Sequence, residues 1–227
     1  MNRNLILAIT GASGAVYAIR LLDVLLAAGH DVHLSISPAG QAVLAAELDL
    51  TVDLNRFDPV CLPVGGSKAP APKYRALIGP QSHPTQSSST LRYHHYLDLS
   101  APIASGSFLT GGMVVCPCSG GTLSAIAQAA STSLIHRAAD VQLKERRKLI
   151  LVPRETPLSA IQLDNMKRAT DAGAVVLPAM PGFYHGVTCV RDLVDFVVAR
   201  ICDQLGVEHR LMRRWGNVDI GNSEPGT

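Results

Sequence analysis

Between Arg137 and Pro157 the chain reads RAADVQLKERRKLILVPRETP, which sets six cations (Arg137, Lys144, Arg146, Arg147, Lys148 and Arg154) against Asp140 and Glu145 and then adds Glu155. The whole chain carries a formal net charge of only +2, so this local excess is a concentrated one. Fixed cations that converge stabilise charge building on a phosphate, and a carboxylate beside them can give or take a proton. Arg137 and Lys144 lie seven residues apart, two helical turns, and so share a helix face. Leu149, Ile150, Leu151 and Val152 read as a parallel strand covered on both faces, with Arg154 and Glu155 at its carboxyl end, where open α/β sheets take their ligands. Thr156 is placed to cap the next helix and Pro157 to occupy its first position. A solvated basic helix followed by an ordinary strand-to-helix turn would show the same pattern, so the segment does not decide the chemistry alone.

Two further turns carry hydroxyls and glycines. Thr10-Gly11-Ala12-Ser13-Gly14-Ala15 joins a strand to a helix; glycines let a ligand approach the backbone, the helix start offers N–H groups to an anion, and Ser13 adds a hydroxyl. Pro117-Cys118-Ser119-Gly120-Gly121-Thr122 repeats the arrangement after a later strand. Two such turns at adjacent strand ends imply one ligand held by both. The full G-x-G-x-x-G pattern is missing, and the second strand ends in Ser35-Ile36-Ser37-Pro38 with no acidic residue for a ribose diol, which disfavours NAD. Hydroxyl-bearing turns suit a flavin mononucleotide, whose single phosphate needs hydroxyl and amide donors. The alternative is that Ser13 and Ser37 only cap helices. Neither turn is a G-x-S-x-G elbow, which argues against a serine hydrolase.

The elements that must position these residues follow from the apolar pattern. Leu5–Ile9, Val32–Ile36, Met113–Cys118, Leu149–Val152 and Ala174–Leu177 read as strands. Helices are expected over Ala15–Ala28, Ala39–Ala46 with Glu47 at its end, Thr122–Ala130, the basic segment, Ile161–Ala172 and Leu193–Leu205. Strands alternating with helices predict a doubly wound, mostly parallel sheet, a Rossmann- or flavodoxin-like three-layer α/β sandwich. From about residue 53 to 97 six prolines and a serine run break the periodicity, so an irregular connection is expected within a single domain over 1–215. The polar stretch 216–227 reads as a tail.

Composition narrows the classes. With 47% apolar and 17% charged residues the chain is globular, and its near-neutral charge, with no basic run interleaved with aromatics, argues against nucleic acid. No apolar stretch reaches the ~18 residues that span a bilayer, and the start shows no cleavage pattern, so a cytoplasmic, membrane-free protein is expected. Five cysteines lack a disulfide spacing and read as free thiols, with Cys116 and Cys118 inside a buried strand. No metal-ligand spacing occurs among the eight histidines, so no metal is expected.

The motifs TGASGA (Thr10–Ala15), ISPAGQ (Ile36–Gln41), ASGSF (Ala104–Phe108), CPCSGGTL (Cys116–Leu123), RAADVQLKERR (Arg137–Arg147), LVPRETPL (Leu151–Leu158), PAMPGFYH (Pro178–His185), DLVDFVVARI (Asp192–Ile201) and RRW (Arg213–Trp215) together resemble the UbiX-type flavin prenyltransferases, within the wider group of homo-oligomeric flavin-containing cysteine decarboxylase-like proteins. The resemblance implies alkylation of reduced FMN by the dimethylallyl group of dimethylallyl monophosphate, closing a new ring between its central-ring nitrogen and the adjoining benzenoid carbon. Prenylated FMN would then serve a UbiD-type decarboxylase. It implies that Gly11, Ala12, Ser13, Ser37, Ser119, Gly120, Gly121, Thr122 and Arg154 contact FMN, and that Arg137, Lys144, Arg154, Tyr184 and Arg200 cage the prenyl phosphate, with Trp215 offering a π face to an allylic cation. Glu155 resembles the acid/base beside the phosphate, and Glu47 and Ser13 the groups that manage protons during ring closure; Lys144 is counted with them as catalytic. A symmetric homo-oligomer, a dodecamer, with sites completed by neighbouring subunits is implied too. The chain departs from its relatives at Ser131-Thr132-Ser133, where amide side chains are common, and in a longer 53–97 connection. The competing readings are an FMN-binding carrier and a flavin-dependent cysteine-type decarboxylase; the latter rely on a catalytic histidine and lack the phosphate cage.

Overall fold

Leu5, Leu7 and Ile9 alternate with Ile6 and Ala8 along the first strand, and every one of them is buried, which requires cover on both faces. A computed structural model describes residues 3–65, 67, 69, 71–79 and 89–214. It supplies that cover by one six-stranded sheet with helices on each side. The strands are β1 (Asn4–Ile9), β2 (Asp31–Ile36), β3 (Leu91–Tyr93), β4 (Gly112–Cys118), β5 (Leu149–Pro153) and β6 (Val175–Val176), all parallel, in the spatial order β3-β2-β1-β4-β5-β6.

Helices α1 (Ala15–Ala27), α2 (Pro38–Leu48), α3 (Pro72–Ile78) and α7 (Val190–Leu205) pack with Leu5, Leu7 and Ile9 on one face. Helices α4 (Gly120–Ala127), α5 (Leu134–Lys144) and α6 (Ala160–Asp171) lie on the other; α4 and α5 meet Ile6, Ala8, Met113 and Val115 there, and α6 adds Ala169. The doubly wound, parallel expectation therefore holds.

Two local expectations change. Within the segment expected to be irregular the structure holds α3 and the edge strand β3, which pairs with β2 through Val32, His33 and Leu34. Phe57 stacks on Tyr93 at 4.4 Å and the Tyr93 hydroxyl donates to the Leu54 carbonyl at 3.1 Å, tying the connection to the sheet edge. A strand of three residues is too short for alternation to show. The helix after β5 starts at Ala160, capped by Ser159, not by Thr156 and Pro157. Ser159 and Gln162 form a capping box, which satisfies two amides reciprocally and outcompetes a lone threonine cap.

A buried ion-pair cluster ties the helices of one face together. Arg20, wholly buried on α1, donates from Nε to Asp195 of α7 at 2.6 Å and from Nη1 to Asp23 at 3.2 Å. Asp23 also accepts the Gly65 amide at 3.0 Å, so one buried cluster joins α1, α7 and the connection after α2. The five cysteines are free, and burial pushes the thiols of Cys118 and Cys202 up to about 12 and that of Cys116 higher than its ordinary value.

At the β2–β3 edge His33 Nδ1 lies 2.9 Å from His94 Nε2, with the Phe108 ring edge-on to His33 at 5.0 Å. Burial, then the neighbouring His94, pushes the His33 imidazole down to about 4, and burial lowers His94 as well. A histidine depressed on folding binds its proton less readily folded than unfolded, so its stabilising contribution is complete above the unfolded value of ~6.5 and is lost as pH falls from there toward 4. The melting temperature is expected to fall between about pH 7.5 and about pH 5, and to fall less in a His33→Gln variant. Identical slopes in the two proteins would remove the pair as the cause.

Candidate active site

The strand order reverses between β1 and β4: the chain leaves β1 toward β2 and β3 on one side and leaves β4 toward β5 and β6 on the other. That reversal opens a crevice at the carboxyl ends of β1 and β4, and both hydroxyl-rich turns stand there. Thr10, 1% exposed, locks them together. Its Oγ1 donates to the Pro117 carbonyl at 2.7 Å and accepts the Ser119 amide at 2.9 Å, while its own amide donates to Pro117 at 3.3 Å. In the sequence Thr10 is only the first residue of a turn; nothing in the pattern tells that its hydroxyl bridges to a segment more than a hundred residues away. Thr10→Val keeps the shape and removes both side-chain bonds, and is expected to lower stability by about 1–3 kcal/mol in urea unfolding, the cost of stranding a buried amide. An unaltered midpoint would show that the turns are held independently.

The amino end of α2 closes the same crevice. Ser37 caps it, accepting the Gly40 amide at 3.0 Å. A Cβ on Gly11 would come within 2.4 Å of the Ala39 Cβ, and one on Gly40 within 2.5 Å of the Ile9 carbonyl oxygen, so neither position has room for a side chain. Ser119 caps α4, accepting the Thr122 amide at 3.3 Å and donating to the Thr122 hydroxyl at 3.0 Å. Ser37 and Ser119 do cap helices, and their oxygens stand at the mouth of the crevice as caps. Ser13 does not cap α1: the N-cap residue is Gly14, and no side chain from its own turn satisfies the helix start.

Glu47 satisfies it instead. From the last turn of α2 its carboxylate accepts the Gly14 amide at 2.9 Å and the Ala15 amide at 2.9 Å. The sequence expectation that the α1 start offers its N–H groups to an anion is corrected there: two of those amides are taken by a carboxylate of the protein, the charge that a helix amino terminus favours.

Arg154 reaches across from the end of β5 and donates from Nε to the Ser13 carbonyl at 3.2 Å. Glu155 follows it. The two line a recess of about 60 Å³ with Leu158, Met166, Pro178 and Met180. The structure thus gathers the two turns, Ser37, Glu47, Arg154 and Glu155 at one end of the sheet.

The remaining cage residues are not gathered within one chain. Arg137 donates to Asp140 at 2.9 Å and to the Ala104 carbonyl at 3.1 Å, and Lys144 pairs with Glu145 at 2.5 Å, both on α5. Arg200 pairs with Asp203 at 2.7 Å on α7, and Tyr184 lies edge-on to Phe196 of the same helix at 5.8 Å. Helices α5 and α7 cover opposite faces of the sheet. Trp215 lies outside the described residues. Arg147, which the sequence reading left unassigned, donates to the carbonyls of Gly106 and Phe108 and so fixes the ASGSF loop beside Arg137. At the departure over 131–133, Ser133 caps α5 and Thr132 bonds to His136 at 2.9 Å. Among the described residues no three histidine, cysteine, aspartate or glutamate side chains cluster as metal ligands, and no helix is long and apolar enough to cross a membrane.

Residues 1–202 match the flavoprotein family. The flavin prenyltransferase UbiX of Pseudomonas aeruginosa is 47% identical over 218 residues, covering 96% of this chain and 96% of that protein. Among solved structures, AnUbiX in complex with FMN and dimethylallyl pyrophosphate superposes with a TM-score of 0.76 at 36% identity, covering 96% of this chain and all of that one. A dodecameric FMN-dependent UbiX-like decarboxylase from Escherichia coli O157:H7 gives 0.73 at 37% identity, covering 93% and 98%. With this extent of agreement along nearly the whole chain, the chain belongs to the flavoprotein family and, within it, to the UbiX-type flavin prenyltransferases.

Proposed function

We propose that this flavin prenyltransferase moves the dimethylallyl group of dimethylallyl monophosphate onto reduced FMN and releases prenylated FMN for a UbiD-type decarboxylase. The observation that carries the reading is the junction of Arg154 with the Ser13 carbonyl, which brings a phosphate-directed cation and its neighbouring acid, Glu155, to the edge of two clamped mononucleotide-type turns. Gly11, Ala12, Ser13, Ser37, Ser119, Gly120, Gly121 and Thr122 line the flavin side: a Cβ on Gly121 would meet nothing within 4 Å, so this turn stays open to a ligand. When bound, reduced FMN supplies the nucleophilic nitrogen and carbon.

The chain's own residues handle charge and protons. Breaking the allylic carbon–oxygen bond leaves its electron pair on the departing phosphate, and Arg137, Lys144, Arg154 and Arg200 with the Tyr184 hydroxyl stabilise that growing charge. Glu155 gives the phosphate a proton and later takes one; Ser13 and Glu47, whose carboxylate accepts the amide of the next residue Gly14, manage the proton lost from the flavin during ring closure. Trp215 supplies a π face for the allylic cation.

Because α5 and α7 cover opposite sheet faces, the cage needs α7 and the Tyr184 loop of a neighbouring copy, which supports a homo-oligomer. The dodecameric relative supports that number of subunits here too. Residues 1–215 act as one flavoprotein domain; the stretch 216–227 lies outside the described residues. Five unpaired cysteines suit the reducing cytoplasm.

The test is anaerobic mass spectrometry of the flavin after incubation with reduced FMN and dimethylallyl monophosphate, then with the diphosphate. A gain of one C₅H₈ unit is expected with the monophosphate. FMN that stays bound and unmodified with both donors would favour the carrier reading.

A further inference from the structure

Gln162, in the first turn of α6, is held at both ends of its amide. Its Oε1 accepts the Ser159 backbone N–H at 2.8 Å, while Ser159 Oγ accepts the Gln162 backbone N–H at 3.3 Å. With the oxygen committed to a backbone donor, the amide orientation is fixed, and Nε2 faces the other way. There it donates to Glu155 Oε2 at 3.4 Å. A Cβ on Gly120 would stand 3.2 Å from the same Nε2, so the glycine at the start of α4 leaves the amide its place. Three element ends, those of β5, α4 and α6, therefore meet at one side-chain amide. The first turns of α4 and α6 carry no acidic residue, so Glu155 faces no competing carboxylate from either.

We propose that Gln162 is a positioning residue for prenyl transfer: it acts through Glu155, fixing the rotamer in which the carboxylate faces the donor phosphate beside Arg154. The inference rests on the assignment of Glu155 as the acid/base. Glu155 is an exposed side chain on a turn, and without a fixed partner its rotamers would share the population. An amide bonded to the helix backbone gives it that partner.

The capping box allows a clean test. Gln162→Glu keeps an acceptor for the Ser159 amide, since S-x-x-E caps as well as S-x-x-Q, and replaces the donor to Glu155 by a like charge. The intact enzyme, its Gln162→Glu and Glu155→Gln variants and the double variant are compared in anaerobic single turnovers with reduced FMN and dimethylallyl monophosphate. Gln162→Glu is expected to cut the turnover rate on the order of 10-fold, the scale of one hydrogen bond to a charged group, with FMN affinity and melting temperature retained. In the Glu155→Gln background it is expected to add no further loss, because both changes remove the same function. Normal turnover in Gln162→Glu alongside an impaired Glu155→Gln would overturn the inference and leave the Glu155 assignment standing. So would a full, additive loss in the double variant. Normal turnover in Glu155→Gln would sink that assignment, and the role of Gln162 with it.

Discussion

Glu155→Gln is expected to bind reduced FMN with unchanged affinity and to form the prenylated product at least ~100-fold more slowly, the usual scale for losing a general acid–base group. The side chain lies one residue beyond Arg154, whose guanidinium is anchored on the Ser13 carbonyl, and it lines the small recess at the end of β5. Glutamine keeps its shape and its capacity to bond with Gln162, and loses only the exchangeable proton. Rapid mixing of the reduced complex with dimethylallyl monophosphate, followed by flavin absorbance, reads the chemical step without product release. Wild-type single-turnover rates would take Glu155 out of the mechanism.

Asp195→Ala is expected to cost roughly 3–5 kcal/mol of folding stability, because it leaves a buried guanidinium without its strongest partner. Arg20 is wholly shielded from solvent, and Asp195 accepts from it at 2.6 and 3.2 Å while also pairing with Arg191 at 3.3 Å. Asp23 remains but already serves the Gly65 amide. Urea unfolding of the variant should show a much lower midpoint at similar slope. A loss below about 1 kcal/mol, the scale of a surface pair, would mean that the interior accommodates the charge in some other way.

Much of the site was legible because its parts are local. Glycine and serine after an apolar run mark a strand-to-helix turn wherever they occur, and the Arg137-to-Glu155 segment carries its charge pattern in consecutive residues. The parts that were not legible depend on partners far along the chain. Thr10 bonds to residues beyond position 116, Glu47 caps a helix that begins 32 residues earlier, and nothing in their own neighbourhoods signals either contact. Spacing put Arg137 and Lys144 on one helix face, but only the sheet topology shows that Arg200 stands on the opposite side of the molecule. Helix α6 is expected from Ile161 and starts at Ala160, but its cap is misassigned to Thr156-Pro157 although Ser159 and Gln162 spell a capping box. Strand β3 carried no signal of its own, being three residues long and supported by Phe57 and Leu54 from outside.

The carboxylate of Glu47 gives the crevice a polarity. A helix start whose amides were open would draw the phosphate of any mononucleotide, but here that position already holds a negative charge. Two unit charges about 4 Å apart at an effective dielectric near 20 repel by about 4 kcal/mol, close to a thousandfold in occupancy. A mononucleotide held as proposed would therefore be sorted by direction: its phosphate would be turned away from the α1 start toward the caps of α2 and α4, and its rings toward the carboxylate bonded to that start. The direction of binding would then be set by a residue that makes no claim on the phosphate at all.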